Sequence, residues 1–279
     1  MTIQDARGTE HSLNTPATRI VSLVPSATET LHRLGLAERI VGITQFCVHP
    51  QPWVKDIPKI GGTKNVDIQR VLDLKPDLVV GNCEENTKEI FDALDPHVPV
   101  WAPLPKTVQD AITDIGHLGL LTGRETTANQ LQAAAIQAWE TAKKAAQPFT
   151  YAYFIWRNPW MSISDDTFIA RMLESVGGKN VFGGHHDRFP EVDMSGRIDQ
   201  VPDVIFLSSE PFPFKEQHRD ELCAMTGVPK ERVRFIDGEY ASWHGHRMIA
   251  GLQYLTSRTP GGWDEAPKES PSKGVENPV

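Results

Sequence analysis

The sequence predicts an α/β protein of two lobes, each built on a mainly parallel sheet, joined by one long α-helix. Three observations predict it. Short β-branched runs alternate with helix-type segments along most of the chain, the pattern of parallel sheets covered on both faces. One stretch near the middle, Thr122 to Gln147, holds no proline, a single glycine and eight alanines between Ala128 and Ala146, the composition of a continuous helix. Finally, Leu74-Lys75-Pro76-Asp77-Leu78-Val79-Val80 is echoed beyond that helix by Gln200-Val201-Pro202-Asp203-Val204-Ile205-Phe206. Both read as a helix end, Pro-Asp, then a buried strand, which agrees with two similar halves.

The expected organisation is an N-terminal lobe over 1–121, a spine helix over 122–147, a C-terminal lobe over 148–258 and a disordered tail over 259–279. The tail is rich in Gly, Pro, Glu, Lys and Ser. A chain of 279 residues, 39% hydrophobic and 23% charged with a net charge of −8, has ample core for a soluble globular protein. Basic residues are outnumbered and unclustered, which argues against a nucleic-acid partner. Cys47, Cys83 and Cys223 are an odd number with no CxxC, so neither a disulfide framework nor a zinc knuckle is indicated. No run of 18 apolar residues exists. The first residues lack the charged region and apolar core of a signal peptide, so a cytoplasmic place is expected for the chain as given.

Taken in order, Arg19 to Val24 follows a polar arm and reads as a strand. Ser26 and Glu29 have the form of a capping box opening a helix that ends near Gly35. A strand running straight into a helix marks the carboxyl edge of a sheet, where open α/β proteins bind ligands. Strands are expected at Arg39–Thr44, Asp77–Val80 and Val98–Trp101, and helices at Val66–Leu74, Thr87–Leu94 and Val108–Leu120. In the spine, Thr122 with Glu125 forms another capping box, Pro148 stops the helix, and Ala128, Leu131, Ala135, Ala138, Ala142 and Ala145 make a stripe of small side chains suited to close packing. The second lobe repeats the plan with strands Tyr151–Trp156, Val204–Leu207 and Arg232–Ile236. Its helices are Thr167–Val176, closed by Gly177-Gly178, then Lys215–Met225 and Arg247–Leu255.

The residues 19–36, 41–44, 60–80 and 166–182 (RIVSLVPSATETLHRLGL, VGIT, IGGTKNVDIQRVLDLKPDLVV and DTFIARMLESVGGKNVF) resemble the class III periplasmic binding proteins. These are helical-backbone receptors for metal chelates, and the vitamin B12-binding members of cobalamin ABC importers are the nearest in pattern. The resemblance covers about residues 10–257. It implies two Rossmann-like lobes, a spine helix, a shallow ligand cleft between the lobes, a monomer, no enzymatic activity and an extracytoplasmic place.

Loops at the predicted carboxyl edges carry Pro25, Ser26, Phe46, Asn82, Cys83, Trp156, Trp160, Tyr240 and Trp243. Aromatic faces with a few polar donors suit a large flat corrin or porphyrin. By resemblance Phe46, Asn82, Trp156, Trp160 and Trp243 face the ligand, and Arg247 matches a basic residue near the last helix. His244 and His246 are the nominated metal ligands, ahead of His185 and His186, with Cys47 and Cys83 as candidate thiolates. The family's two permease-docking glutamates align with Gln69 and about Ser195, neither of them charged; Asp67, Glu191 and Asp193 lie nearby. The resulting expectation is a binding protein for cobalamin or a related corrinoid, with haem, a ferric siderophore or a metal ion as alternative cargo. A metal-dependent enzyme using the His-rich loops and a scaffold with a vestigial cleft are the rivals. GxSxG, GxGxxG, P-loop and HExxH signatures are absent from the sequence.

Overall fold

The structure, a computed structural model, describes residues 2–12, 15–194 and 201–258. The tail over 259–279 and Ser195 lie outside them. The chain divides into two compact units: Met1–Lys144 with Ser242–Gln253, and Ala145–Ala241 with the residues from Tyr254 on. Among the described residues no helix is long and apolar enough to cross a membrane.

In unit 1 the polar arm is a structured hairpin, β1 (Thr2–Gln4) and β2 (Glu10–Ser12), paired antiparallel. Arg7 fastens it: Nε lies 2.9 Å from the Asp5 carboxylate, Nη1 2.7 Å from Asp95, and Nη2 donates to the Val100 carbonyl at 2.6 Å. Then follow β3 (Ile20–Ser22), α1 (Pro25–Arg33), β4 (Ile40–Ile43), α2 (Ile68–Asp73), β5 (Leu78–Val80), α3 (Lys88–Leu94), β6 (Val100–Trp101) and α4 (Val108–Thr122). The sheet order is β4-β3-β5-β6, all parallel. Every residue of β3 and β5 is buried, as continuous apolar runs require when both faces are covered.

The spine is α5 (Glu125–Ala145), 21 residues and about 32 Å long. It starts later than the sequence pattern predicts. Thr122 is the last residue of α4, its hydroxyl donating to the Leu118 carbonyl at 2.6 Å, and Gly123 at φ 66° ends that helix. The Thr-x-x-Glu spacing is therefore not a capping box but a helix end followed by a helix start. The small-residue stripe does pack closely: Ala128, Leu131, Ala135 and Ala142 are buried, while Ala145 is exposed. A Cβ added to Gly119 of α4 would stand 2.4 Å from that of Ala128.

The chain continues through β7 (Phe149–Phe154), α6 (Phe168–Glu174), β8 (Gly178–Asn180), β9 (Val204–Ser208), α7 (Glu216–Thr226), β10 (Val233–Ile236), α8 (Gly238–Ser242) and α9 (Arg247–Thr256). Strand β8 was not expected, because Gly177-Gly178 reads as a helix stop. The sheet of unit 2 has the order β10-β9-β7-β8, again all parallel. Within each four-stranded sheet the first strand in sequence lies between the second and third, with the fourth at an edge. The fold is the expected α/β arrangement of two parallel sheets.

The Pro-Asp echo has a structural basis. In unit 1 the Asp77 carboxylate accepts from Thr18 N, Thr18 Oγ1 and Arg19 N at 2.7–3.0 Å, tying the start of β3 to that of β5. In unit 2 Asp203 accepts from the backbone N–H and hydroxyl of Thr150 in β7, at 2.7 and 2.8 Å. Each carboxylate thus stitches its own strand to the first strand of its sheet. Burial pushes Asp77 up, but the hydrogen bonds from Thr18 and Arg19 outweigh it and hold the carboxyl below its ordinary range. A depressed carboxyl contributes stability above its unfolded value, about 4, and loses it as the pH falls through the folded value. Asp77→Asn is expected to cost about 1 kcal/mol at pH 7, the deficit shrinking as the pH is lowered below 4. Urea midpoints of the two proteins across that range check it.

Candidate functional site

The carboxyl edge of the unit 1 sheet is where chemistry-bearing residues converge. From β3 the chain enters α1 with Pro25 at the first helical position, and no side chain caps the helix. Ser26 is buried, but its hydroxyl lies 3.3 Å from His244 Nε2 rather than on the helix backbone. From β4 the chain reaches Phe46, exposed by 47%, with Cys47 buried behind it. From β5 it reaches Gly81 and Asn82.

Asn82 is fixed by its own turn. Its Oδ1 accepts from the N–H groups of Glu84 (2.8 Å) and Glu85 (3.2 Å), and its backbone N–H donates to Asn86 Oδ1 at 2.9 Å. That leaves the amide Nδ2 aimed at His244 Nε2, 3.1 Å away. An amide nitrogen can only donate, so His244 Nε2 accepts and its proton sits on Nδ1. Burial pushes the His244 pKa down to about 4, which keeps the ring neutral. His244 thus knots α1 to the loop after β5, and the Nε2 lone pair a metal would need already takes the Asn82 hydrogen bond.

The neighbouring residues complete the seam. Gly245 has φ +76°, and a Cβ there would stand 2.2 Å from Thr30 Oγ1, so both backbone conformation and space demand glycine. Thr30 Oγ1 donates to the Ser26 carbonyl at 2.8 Å and accepts from the His246 N–H at 3.0 Å. Arg247 forks onto Glu29 at 2.7 and 2.9 Å, and its guanidinium carbon lies 4.9 Å from the centre of the Trp243 ring. His49 meets the same ring edge-on at 5.9 Å. Ser26 and Glu29 are therefore not a capping box: both side chains reach the 243–247 segment. Glu29, Thr30, His49 and Gly245 were not picked from sequence; the only available signal was a glycine between two histidines.

The other predicted residues fall out as follows. Cys47 Sγ accepts from the Thr28 hydroxyl at 3.1 Å and shares a hydrogen bond of 3.1 Å with the Thr44 hydroxyl, and burial pushes its thiol up. The Cys83 thiol donates to the Ala102 carbonyl at 3.2 Å and is also pushed up by burial. Both thiols are held in hydrogen bonds within unit 1. In unit 2, Trp156 is 41% exposed just past β7, and its indole N–H donates to the Asn158 carbonyl at 3.1 Å. Trp160, expected to face ligand, lies in the hydrophobic core. It stacks on Phe214 at 5.6 Å and meets Phe154 edge-on, and an isolated bridge pairs the flanking Trp156 and Met161. Tyr240 stacks on Tyr254 at 5.1 Å. His185 and His186 are exposed.

His246 Nδ1 is buried with no hydrogen-bond partner, yet among the described residues no three His, Cys, Asp or Glu side chains gather as a metal site. Gln69 is exposed and donates to Asp73, while Asp67 caps α2 through the Arg70 N–H. Nitrogen-15 NMR of the histidines tests the knot. His244 is expected to show an unprotonated, hydrogen-bonded Nε2 at pH 7 and to titrate near 4, and Asn82→Asp is expected to raise that midpoint by placing a carboxylate beside the ring.

Comparison with known proteins supplies the family. The profile described as "Periplasmic binding protein" matches residues 20–240. An uncharacterised ABC transporter substrate-binding lipoprotein of Bacillus subtilis is 29% identical over 274 residues, covering 91% of this chain and 84% of that protein. A vitamin B12-binding protein of Vibrio campbellii is 23% identical over 199 residues, 70% of this chain and 72% of the other. The crystal structure of the periplasmic vitamin B12-binding protein of Vibrio cholerae matches with a TM-score of 0.75 at 20% identity, covering 90% of this chain and 99% of that one. Solved haem-binding proteins share the fold at a TM-score of 0.72. With its two parallel sheets and a profile match across most of its length, this chain belongs to the periplasmic binding protein family.

Proposed function

We propose that this chain is a cargo receptor that binds a corrinoid, cobalamin, and delivers it to an ABC permease outside the cytoplasm. The observation that supports it is the aromatic and polar surface at the carboxyl edge of the unit 1 sheet. There Phe46 is exposed and Trp243 half-buried, beside the neutral node of His244, Asn82 and Ser26. Ring faces suit the apolar plane of a corrin, and amide and hydroxyl groups suit its amide rim. The sequence relative that binds vitamin B12 points the same way, and the relative named as an ABC transporter component supports delivery to a permease. Binding without turnover accords with a family of substrate-binding components.

Cargo rather than resident metal is the reading that fits the donor set. Among the described residues no three His, Cys, Asp or Glu side chains gather as a metal site, and the His244 Nε2 lone pair accepts a hydrogen bond. The cobalt or iron would therefore arrive inside its own macrocycle. Haem is the competing cargo, since proteins of the same fold bind it.

Calorimetric titration with cyanocobalamin, hydroxocobalamin and haemin decides between them. Micromolar or tighter binding of both cobalamins, with haemin weaker, is the expected result; tight haemin binding alone would reassign the cargo. Phe46→Ala is expected to weaken cobalamin binding by about tenfold, the loss of one exposed ring face, while leaving the melting temperature near that of the parent.

A further inference from the structure

Resting on that assignment of the ligand face, we infer that Glu29 is a positioning residue, holding Trp243 through Arg247 in the orientation the ligand meets. The chain of contacts is direct. Glu29 grips Arg247 through two parallel hydrogen bonds, to Nε at 2.7 Å and to Nη2 at 2.9 Å. The side chains are only 16% and 11% exposed, so the pair is shielded from competing water and salt. The fork fixes the plane of the guanidinium. The guanidinium carbon lies over the Trp243 ring, 4.9 Å from its centre. His49 closes the ring's surroundings edge-on.

A guanidinium that is itself clamped thus lies over one face of the half-buried Trp243 ring and limits its rotamer. The arrangement gives Arg247 a part in holding the tryptophan besides the one its position suggests. A basic residue beside a ligand face would ordinarily reach for a carboxylate or amide on the ligand. Here Nε and Nη2 are turned onto Glu29, and the cation meets the tryptophan. Glu29 sits on α1 and Trp243 on the segment returning near the chain's far end. The pair is also the third tie across one seam, beside His244 to Ser26 and Asn82, and the His246 N–H to Thr30.

The test separates positioning from plain stability. In protein labelled with 5-fluorotryptophan, the Trp243 signal is identified by its loss in Trp243→Phe. Glu29→Gln, which keeps the shape but not the charge of the fork, is expected to shift or broaden that signal without ligand. It is also expected to weaken cyanocobalamin binding by roughly fivefold, and to add nothing in a Trp243→Ala background, as coupled residues do. Arg247→Lys, retaining the charge and losing the planar fork, is expected to reproduce both effects. The swapped pair Glu29→Arg with Arg247→Glu keeps an ion pair but takes the guanidinium off the ring; it is expected to restore the melting temperature and not the affinity. A Trp243 signal unmoved by Glu29→Gln, or affinity fully restored by the swap, would overturn the inference. If the parent protein binds no cobalamin, the cargo assignment fails and the fluorine signal alone decides the role of Glu29.

Discussion

The feature on which unit 1 depends is the docking of the short 243–247 segment onto the first turns of α1. Residues separated by 216 and 218 positions in sequence meet there at hydrogen-bond distance. The conformational cost of closing so long a loop rises only with the logarithm of its length, so such reach is tolerable if the contact is specific. Specificity comes from three unlike devices side by side. A glycine admits the Thr30 hydroxyl where no side chain fits, a neutral imidazole accepts from a pre-oriented amide, and a shielded ion pair locks a planar fork. The ion pair by itself is a weak stabiliser, because desolvation offsets much of its attraction. Its value lies in geometry, since either partner left alone would be a charge without compensation in a partly buried place.

The two units show how one plan is met with different details. Both sheets place the first strand centrally and stitch it with the aspartate of a Pro-Asp pair. The surfaces past the strand ends then diverge. Unit 1 receives a foreign segment carrying two histidines, an arginine and a tryptophan, whereas the loop after β7 in unit 2 folds back on itself and turns Trp160 into the core.

Much of the fold was legible because its signals are local. Buried strands such as β5 and β9 are continuous apolar runs, and α5 is alanine-rich and free of proline. The elements that escaped were the three-residue strands β1, β2 and β8 and the five-residue helix α8; β2 and β8 hold no β-branched residue, so pairing rather than propensity makes them strands. Boundaries failed where one pattern has two physical meanings. Thr122 and Glu125 have capping-box spacing yet belong to consecutive helices. Ser26 and Glu29 have it too, yet their partners lie more than 200 residues away, where no local rule looks. Trp156 and Trp160 are equally apolar in sequence, and the tertiary packing of Trp160 on Phe154 and Phe214 is what separates the core ring from the exposed one.

Because Ser242–Gln253 belongs to unit 1 while Ala145–Ala241 forms the other unit, unit 1 is discontinuous in the order of synthesis. A chain growing from its N-terminus makes the whole of the other sheet before it makes the segment that seals α1. Until then Ser26, Glu29 and Thr30 lack the partners described above, and the nascent unit 1 is a sheet with one seam unsewn. The 243–247 seam is thus the last part of unit 1 that the growing chain can finish, and a chain interrupted between Ile236 and Ser242 would keep every strand of both sheets yet lack that seam.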